Sequence, residues 1–325
     1  MYYHQNLEGT AFADPYIRGF RKIRILSGYA SSIFLTHIMD NYPDIEIELI
    51  IGMAKRDGIN KWDHNKYKEM MQNNPNITVK YHIGSPAVHT KVYHWYKDGL
   101  FSDSVTFVGS SNFSWGGFRD LKELLVEANH ANINDVFDQV NPILCTDPNV
   151  EQHIVFKDVQ YTRRTNNANP TFTLVDLHNT GIPVSGTEMP ASEFVDLPLL
   201  IKNDTAIQEK AGLNWGQRPG REPNQAYIKV PLEVHREHPE FFPPRDHQFT
   251  VITDDGHQMV CVVAQDGRKA LETSENNSIL GVYFRNRLNV PLGARVDPQN
   301  VINYGRTTVR VFKIDNETYF MDFSV

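Results

Sequence analysis

His89-Thr90-Lys91 opens the stretch that decides the fold, and Glu123 closes it. Between them lie two apolar runs, Val92-Tyr93-His94-Trp95-Tyr96 and Val105-Thr106-Phe107-Val108, and the polar turn Gly109-Ser110-Ser111-Asn112. On an extended strand, residues two apart project from one face, so His89 and Lys91 are expected side by side. Glycine in the turn lets the backbone approach a ligand closely. A nucleophilic imidazole, a fixed cation, small hydrogen-bond donors and a carboxylate together suit phosphoryl transfer. The pattern predicts strands over 89–96, 104–108 and 123–128. Residues 114–120 read as a glycine-containing loop or short helical turn.

Upstream, Lys22-Ile23-Arg24-Ile25-Leu26-Ser27-Gly28-Tyr29 alternates and ends in a glycine, which reads as a strand. Residues 31–39 carry an N-cap candidate, Ser31, before apolar residues at helical spacing. A strand is expected over 45–53, a helix over 61–72 closed by Asn73-Asn74-Pro75, and a strand over 77–81. This alternation points to an α/β layered domain, with residues 1–20 as a lead-in. Another helix is expected over 133–140. From about 160 to 195 the texture turns polar and turn-rich, as in Arg163–Pro170 and Pro183–Pro190, with residues 171–177 a possible short strand. The second half reads as short strands with turns, at 226–230, 248–253, 258–264, 282–284, 307–314 and 318–323. That is the spacing of an all-β barrel or sandwich.

His-x-Lys, then Gly-Ser-x-Asn, then a downstream Glu resembles the phospholipase D superfamily, in its single-motif nuclease branch. One departure is visible: the usual signature has an Asp five residues after the lysine, where this chain has Tyr96, with Asp98 nearby. The resemblance implies catalytic roles for His89, Lys91, Ser110, Asn112 and Glu123. His89 would attack phosphorus and form a phosphohistidine. Lys91, Ser110 and Asn112 would hold the non-bridging oxygens, and Glu123 would orient an imidazole. Glu127 is a rival carboxylate on the same strand face, and the spacing from Asn112 favours Glu123. Because the chain has one such motif, the resemblance also implies a homodimer, joined through the nuclease domain, that shares one site.

Residues 212–228 are the most distinctive run of the second half. They hold Asn214, Trp215, Gln217, Arg218, Arg221, Asn224 and Gln225, and a second cluster holds Arg285, Asn286 and Arg287. Arginine suits guanine edges, and asparagine and glutamine suit adenine edges. The two clusters resemble the DNA-gripping arms of a pseudobarrel domain shared by certain restriction endonucleases and plant transcription factors. The first run closely resembles the NgoFVII-type restriction endonucleases, which join a phospholipase-D-like nuclease to this domain. The resemblance implies a nuclease domain over 1–170, a junction over 171–193 and a sequence-specific DNA-binding domain over 194–325. It further implies double-stranded DNA as substrate, and a separate helicase-like ATPase subunit. This chain has no Gly-x-x-x-x-Gly-Lys-Ser/Thr loop, so any ATP would be used by that subunit.

Bulk composition is compatible with this. The chain of 325 residues is 40% hydrophobic and 22% charged, enough for two domains with proper cores. A net charge of −7 argues against indiscriminate coating of nucleic acid, while residues 281–296 carry three arginines and no acid. No apolar run approaches the roughly 20 residues of a membrane span. No signal peptide is expected, since no basic segment and apolar run open the chain. Two distant cysteines, Cys145 and Cys261, fit a reduced, cytoplasmic protein. No cofactor is expected in the chain, and no metal, since Lys91 fills the cation role. Two other readings share these features: a phospholipid hydrolase, and a non-catalytic DNA-binding regulator whose first domain only dimerises.

Overall fold

The computed structural model describes residues 1–99, 103–128, 132–162, 171–176, 183–190, 193–201, 205–245 and 247–325. The expected turn-rich run Arg163–Pro170 and Leu177 lie outside them. The chain divides into two compact units: Met1–Gln160 with Thr173–Glu188, and Tyr161–Phe172 with Met189–Val325.

The first unit is layered α/β, as the alternation of its segments predicts. Its described residues build an eight-stranded sheet in the order Tyr2–Tyr3, Leu125–Ala128, Ser104–Gly109, Val92–Tyr96, Lys22–Ser27, Glu46–Ile51, Ile77–His82, Pro142–Leu144. Lys22–Ser27, Glu46–Ile51 and Ile77–His82 run parallel. Val92–Tyr96, Ser104–Gly109 and Leu125–Ala128 continue the sheet antiparallel. Alternation in these strands buries one face, while Glu48 accepts from Arg24 at 2.8 Å and Lys80 at 2.6 Å across three strands. The helix Ser32–Asn41 starts where Ser31 Oγ accepts the Phe34 N–H, and Lys61–Asn73 ends before Pro75.

Three expectations for this unit need correction. Residues 1–20 are not a lead-in: Tyr2–Tyr3 pairs with Leu125 and Val126, and a helical segment carries Phe12 into the core. The Phe12 ring meets those of Phe34, Tyr42, Tyr93, Trp95, Phe113 and Phe118, and Trp95 Nε1 donates to the Ala11 carbonyl at 2.7 Å. The strand after His89 begins only at Val92, and that before Ala128 only at Leu125. His89 and Glu123 therefore lie in loops just off the sheet. Pro183–Pro190 is a strand rather than turns, in a small sheet with Thr171–Asp176, Phe156–Thr162 and Ile59–Asn60.

The second unit is a seven-stranded sheet among its described residues, in the order Phe194–Pro198, Thr308–Lys313, Thr318–Asp322, Phe249–Thr253, Gln258–Ala264, Ala270–Thr273, Ile228–Lys229. Its two end strands approach one another, so the sheet curls into a nearly closed barrel around Val251, Cys261, Val263, Val311 and Tyr319. Phe194–Pro198 and Ala270–Thr273 are strands beyond those expected. Val282–Phe284 is not a strand but part of the helix Ser278–Arg287. Its buried Leu280 and Phe284, with Leu288, recur every four residues, a helical spacing that outweighs the local β-propensity. Among the described residues no helix is long and apolar enough to cross a membrane.

Phe12→Ala is expected to destabilise the first unit by about 3–5 kcal/mol, because its ring is fully enclosed. Urea unfolding measures this; a loss under about 1 kcal/mol would return residues 1–20 to the status of a loose lead-in.

Candidate active site and nucleic-acid interface

Strand direction assembles the candidate site. Lys22–Ser27 and Ser104–Gly109 end at the same sheet edge at which the antiparallel Val92–Tyr96 and Leu125–Ala128 begin. Residues just outside those ends are Gly28, His89-Thr90-Lys91, Ser110-Ser111-Asn112 and Glu123. Four segments distant in sequence therefore converge on one edge.

His89 is exposed and Lys91 is buried, at 5% of its free surface. The Lys91 ammonium lies 2.9 Å from His89 Nδ1 and 3.2 Å from Nε2, and donates to the His89 carbonyl at 2.8 Å. Which of the two ring nitrogens accepts from the ammonium depends on the tautomer, and the other carries the ring proton. Burial pushes the Lys91 pKa below the usual lysine range, and the charge of Glu123 opposes that fall.

Ser110 Oγ donates to the Glu123 carboxylate and accepts the Leu124 N–H at 3.1 Å. Ser110 thus fastens the loop that carries Glu123. Asn112 Oδ1 accepts the Tyr29 N–H at 3.2 Å, which fixes the amide and makes its NH2 the end that donates to an anion. Behind these groups Tyr93 donates its hydroxyl to the Ser111 carbonyl at 2.7 Å, and the Phe113 N–H binds Ser27 Oγ at 3.0 Å.

Three residues at this edge were not singled out as site residues in the sequence. A Cβ on Gly28 would stand 2.9 Å from His89 Cδ2 and 3.3 Å from Asn112 Oδ1, so only glycine lets both side chains close in. The Tyr29 ring meets the His89 ring edge-on at 5.7 Å, and its hydroxyl donates to Asp57 at 2.6 Å. The strand ending in Gly28 was the one available signal; nothing local ties Asp57 to it. The departure at Tyr96 falls elsewhere. Tyr96 pairs with Lys22 at the opposite end of the strands, and Asp98 binds Lys22 there at 2.8 Å. His94 bonds Thr106 at 2.8 Å within the fold, and Trp115 is core.

The expected DNA-contacting residues of the second unit separate into two groups. Arg285 is fully buried, and its guanidinium donates to the carbonyls of Leu213, Pro223, Asn224, Gly281 and Ala294. Arg287 is paired with Asp254 and Asp255, at 2.9 Å each. Asn214, fully buried, brackets the Val296 backbone with both ends of its amide. Gln217 donates to the Pro223 and Gly293 carbonyls, and Asn224 is held by Glu222 and the Gly293 N–H. These five fasten the 212–228 loop and the helix Ser278–Arg287 to the barrel. Arg218, Arg221, Gln225 and Asn286 reach the surface, while Trp215 is largely buried. Arg218 donates to the Lys210 carbonyl at 2.7 Å.

Arg285→Met, which keeps the side-chain length but removes the donors, is expected to lower stability by about 3 kcal/mol or more, since buried carbonyls lose their partners. Thermal unfolding measures this. Unchanged stability with weakened DNA binding would instead make Arg285 a contact residue.

Residues 5–152 match the family model of the NgoFVII restriction endonuclease N-terminal PLD domain. Residues 188–315 match that of the NgoFVII C-terminal B3-like DNA-binding domain. No curated protein matches the sequence. Among solved structures, a polyphosphate kinase from Porphyromonas gingivalis is similar over 40% of this chain and 18% of its own, at 12% identity and a TM-score of 0.28. The chain thus spans less than a fifth of that protein. With both domain models matched in order along the sequence, the chain belongs to the NgoFVII restriction endonuclease family.

Proposed function

We propose that this chain is a sequence-specific deoxyribonuclease, in which the first unit breaks a phosphodiester bond and the second chooses the site on the duplex. The observation that carries the reading is the Lys91 ammonium set against both ring nitrogens of an exposed His89.

In this reading the lone pair of a neutral His89 nitrogen attacks phosphorus. A nitrogen–phosphorus bond forms as the bond to the leaving oxygen breaks. Lys91 and the Asn112 NH2 stabilise charge on the non-bridging oxygens. Glu123 keeps the buried Lys91 protonated, and Ser110 keeps Glu123 in place. The leaving oxygen needs a proton, and a single His-x-Lys motif supplies one imidazole. A second copy of the chain, related by a two-fold axis, supplies the other as an imidazolium, which gives its proton to the leaving oxygen and then takes one from the attacking water. Water then cleaves the phosphohistidine, and the first imidazole is restored. The exposure of His89 at the end of the central strands fits a site completed by a second copy. The cation role falls to Lys91, so the proposed chemistry needs no metal. Control by a separate ATPase subunit, as the family resemblance implies, completes the proposal, and its place of action is the cytoplasm.

His89→Ala is expected to abolish cleavage of cognate duplex while leaving its dissociation constant within about twofold. Residual cutting above background would end the assignment, as would activity on phospholipid vesicles but not on DNA. Wild-type cleavage is expected to survive EDTA, and its loss would move the cation role from Lys91 to a metal.

The pH profile tests Lys91. The reaction uses its protonated form, so kcat should fall as pH rises through a pKa below the ordinary lysine range. Glu123→Gln removes the charge that favours the ammonium, and should move this alkaline limb to lower pH. A limb that stays in place or moves up would detach Glu123 from Lys91.

A further inference from the structure

The 212–228 loop holds a group more specific than a basic patch. The Arg221 guanidinium lies over the Trp215 indole, 3.9 Å from the ring centroid, and its Nη1 donates to Gln225 Oε1 at 2.9 Å. Trp215 is held in turn by the Tyr227 ring, edge-on at 5.5 Å. The loop backbone closes where the Gly216 N–H binds the Gln225 carbonyl at 2.7 Å. Stacking sets the plane of the guanidinium, and the hydrogen bond sets its rotation within that plane.

The chemistry of the pair follows from its donors. A guanidinium has no acceptor, so the amide oxygen of Gln225 must face Arg221. The Gln225 NH2 is then turned away from Arg221. Toward a ligand, the pair offers N–H groups from both residues, and the Gln225 oxygen already has one of its two lone pairs taken by Arg221. In the major groove adenine shows an acceptor at N7 and a donor at N6, and a glutamine reads both only with both ends of its amide. Guanine shows two acceptors, N7 and O6. A pair that presents chiefly donors matches guanine better than adenine, whose N6 donor would have to share the oxygen that Arg221 already uses. A phosphate also accepts, but Glu222 lies next to Arg221 in the loop with its carboxylate exposed. It accepts from Asn224 at 2.8 Å and from Ser278, and its negative charge opposes a phosphate more than a neutral base edge.

We propose that Arg221 and Gln225, joined on the face of Trp215, act as one unit that reads a guanine in the major groove. This rests on the reading of the second unit as a binder of duplex DNA.

The test uses the full chain. Wild-type protein selects from randomised duplexes, and each guanine of the selected site is then replaced by 7-deazaguanine or adenine. At one guanine, both replacements should weaken wild-type binding by about ten- to a hundredfold, the worth of a bidentate base contact. Arg221→Ala and Gln225→Ala should lose the preference at that one position and keep it elsewhere. Arg221→Lys, which keeps the charge and loses the planar fork, should behave as Arg221→Ala does. Thermal unfolding of each variant separates this from loss of the loop. Weakening of all sequences alike would overturn the proposal and give Arg221 to a phosphate. Full rescue by Arg221→Lys, or a position changed to adenine preference in the wild type, would also overturn it. Failure of the wild type to select any sequence would overturn the reading of the second unit itself.

Discussion

A buried ammonium governs this molecule. Lys91 has most of its surface removed from water, yet its charge has to survive for the site to stabilise an anion. Burying an unpartnered cation costs free energy, and the group lowers its pKa in response. The charge of Glu123 opposes that here, and the ammonium also donates to the His89 carbonyl at 2.8 Å. The contact with the ammonium also holds the His89 side chain beside it. In the proposed reaction this one pair of residues, two apart in sequence, supplies both the nucleophile and a counter-charge.

That pair is useful only because the sheet brings the rest to it. A purely parallel sheet would place just strand C-termini at this edge. The antiparallel insertion of Val92–Tyr96, Ser104–Gly109 and Leu125–Ala128 alternates ends and starts, and so lines up Gly28, Lys91, Ser110 and Glu123. Packing then refines the arrangement. Gly28 permits contact with His89 and Asn112, Tyr29 links Asn112 to Asp57, and the Phe12 ring cluster supports the strands from beneath. The opposite edge, with Tyr96 and the Lys22–Asp98 ion pair, is remote from this chemistry, so the missing acid of the family signature leaves it untouched.

What the sequence revealed follows the range of the forces involved. His89, Lys91, Ser110, Asn112 and Glu123 sit within one short stretch, and period-two alternation places the strands between them. Strand boundaries were less legible: the strand begins only at Val92, although the Lys91 carbonyl still accepts the Gly109 N–H at 3.3 Å. Phe12 was invisible because its six ring partners lie far from it in sequence. Arg285 was misleading for a related reason. A surface arginine and one that organises five carbonyls have the same letter, and only the fold distinguishes them. Gly28 and Tyr29 follow a strand and Asp57 ends the short helix Ala54–Asp57, and the two places meet only in three dimensions.

The two units divide the labour implied by their family. One holds the candidate catalytic residues, and the other carries the Arg221–Gln225 pair at the surface of a barrel with a buried cysteine and aliphatic core. The central claim is that cleavage proceeds through a bond between His89 and phosphorus. Its stereochemical course decides the matter most directly, with a cognate duplex carrying one chiral phosphorothioate at the scissile position cleaved in heavy-oxygen water. Two successive in-line displacements predict retention of configuration at phosphorus. Inversion would mean that water attacks directly, and would contradict the account.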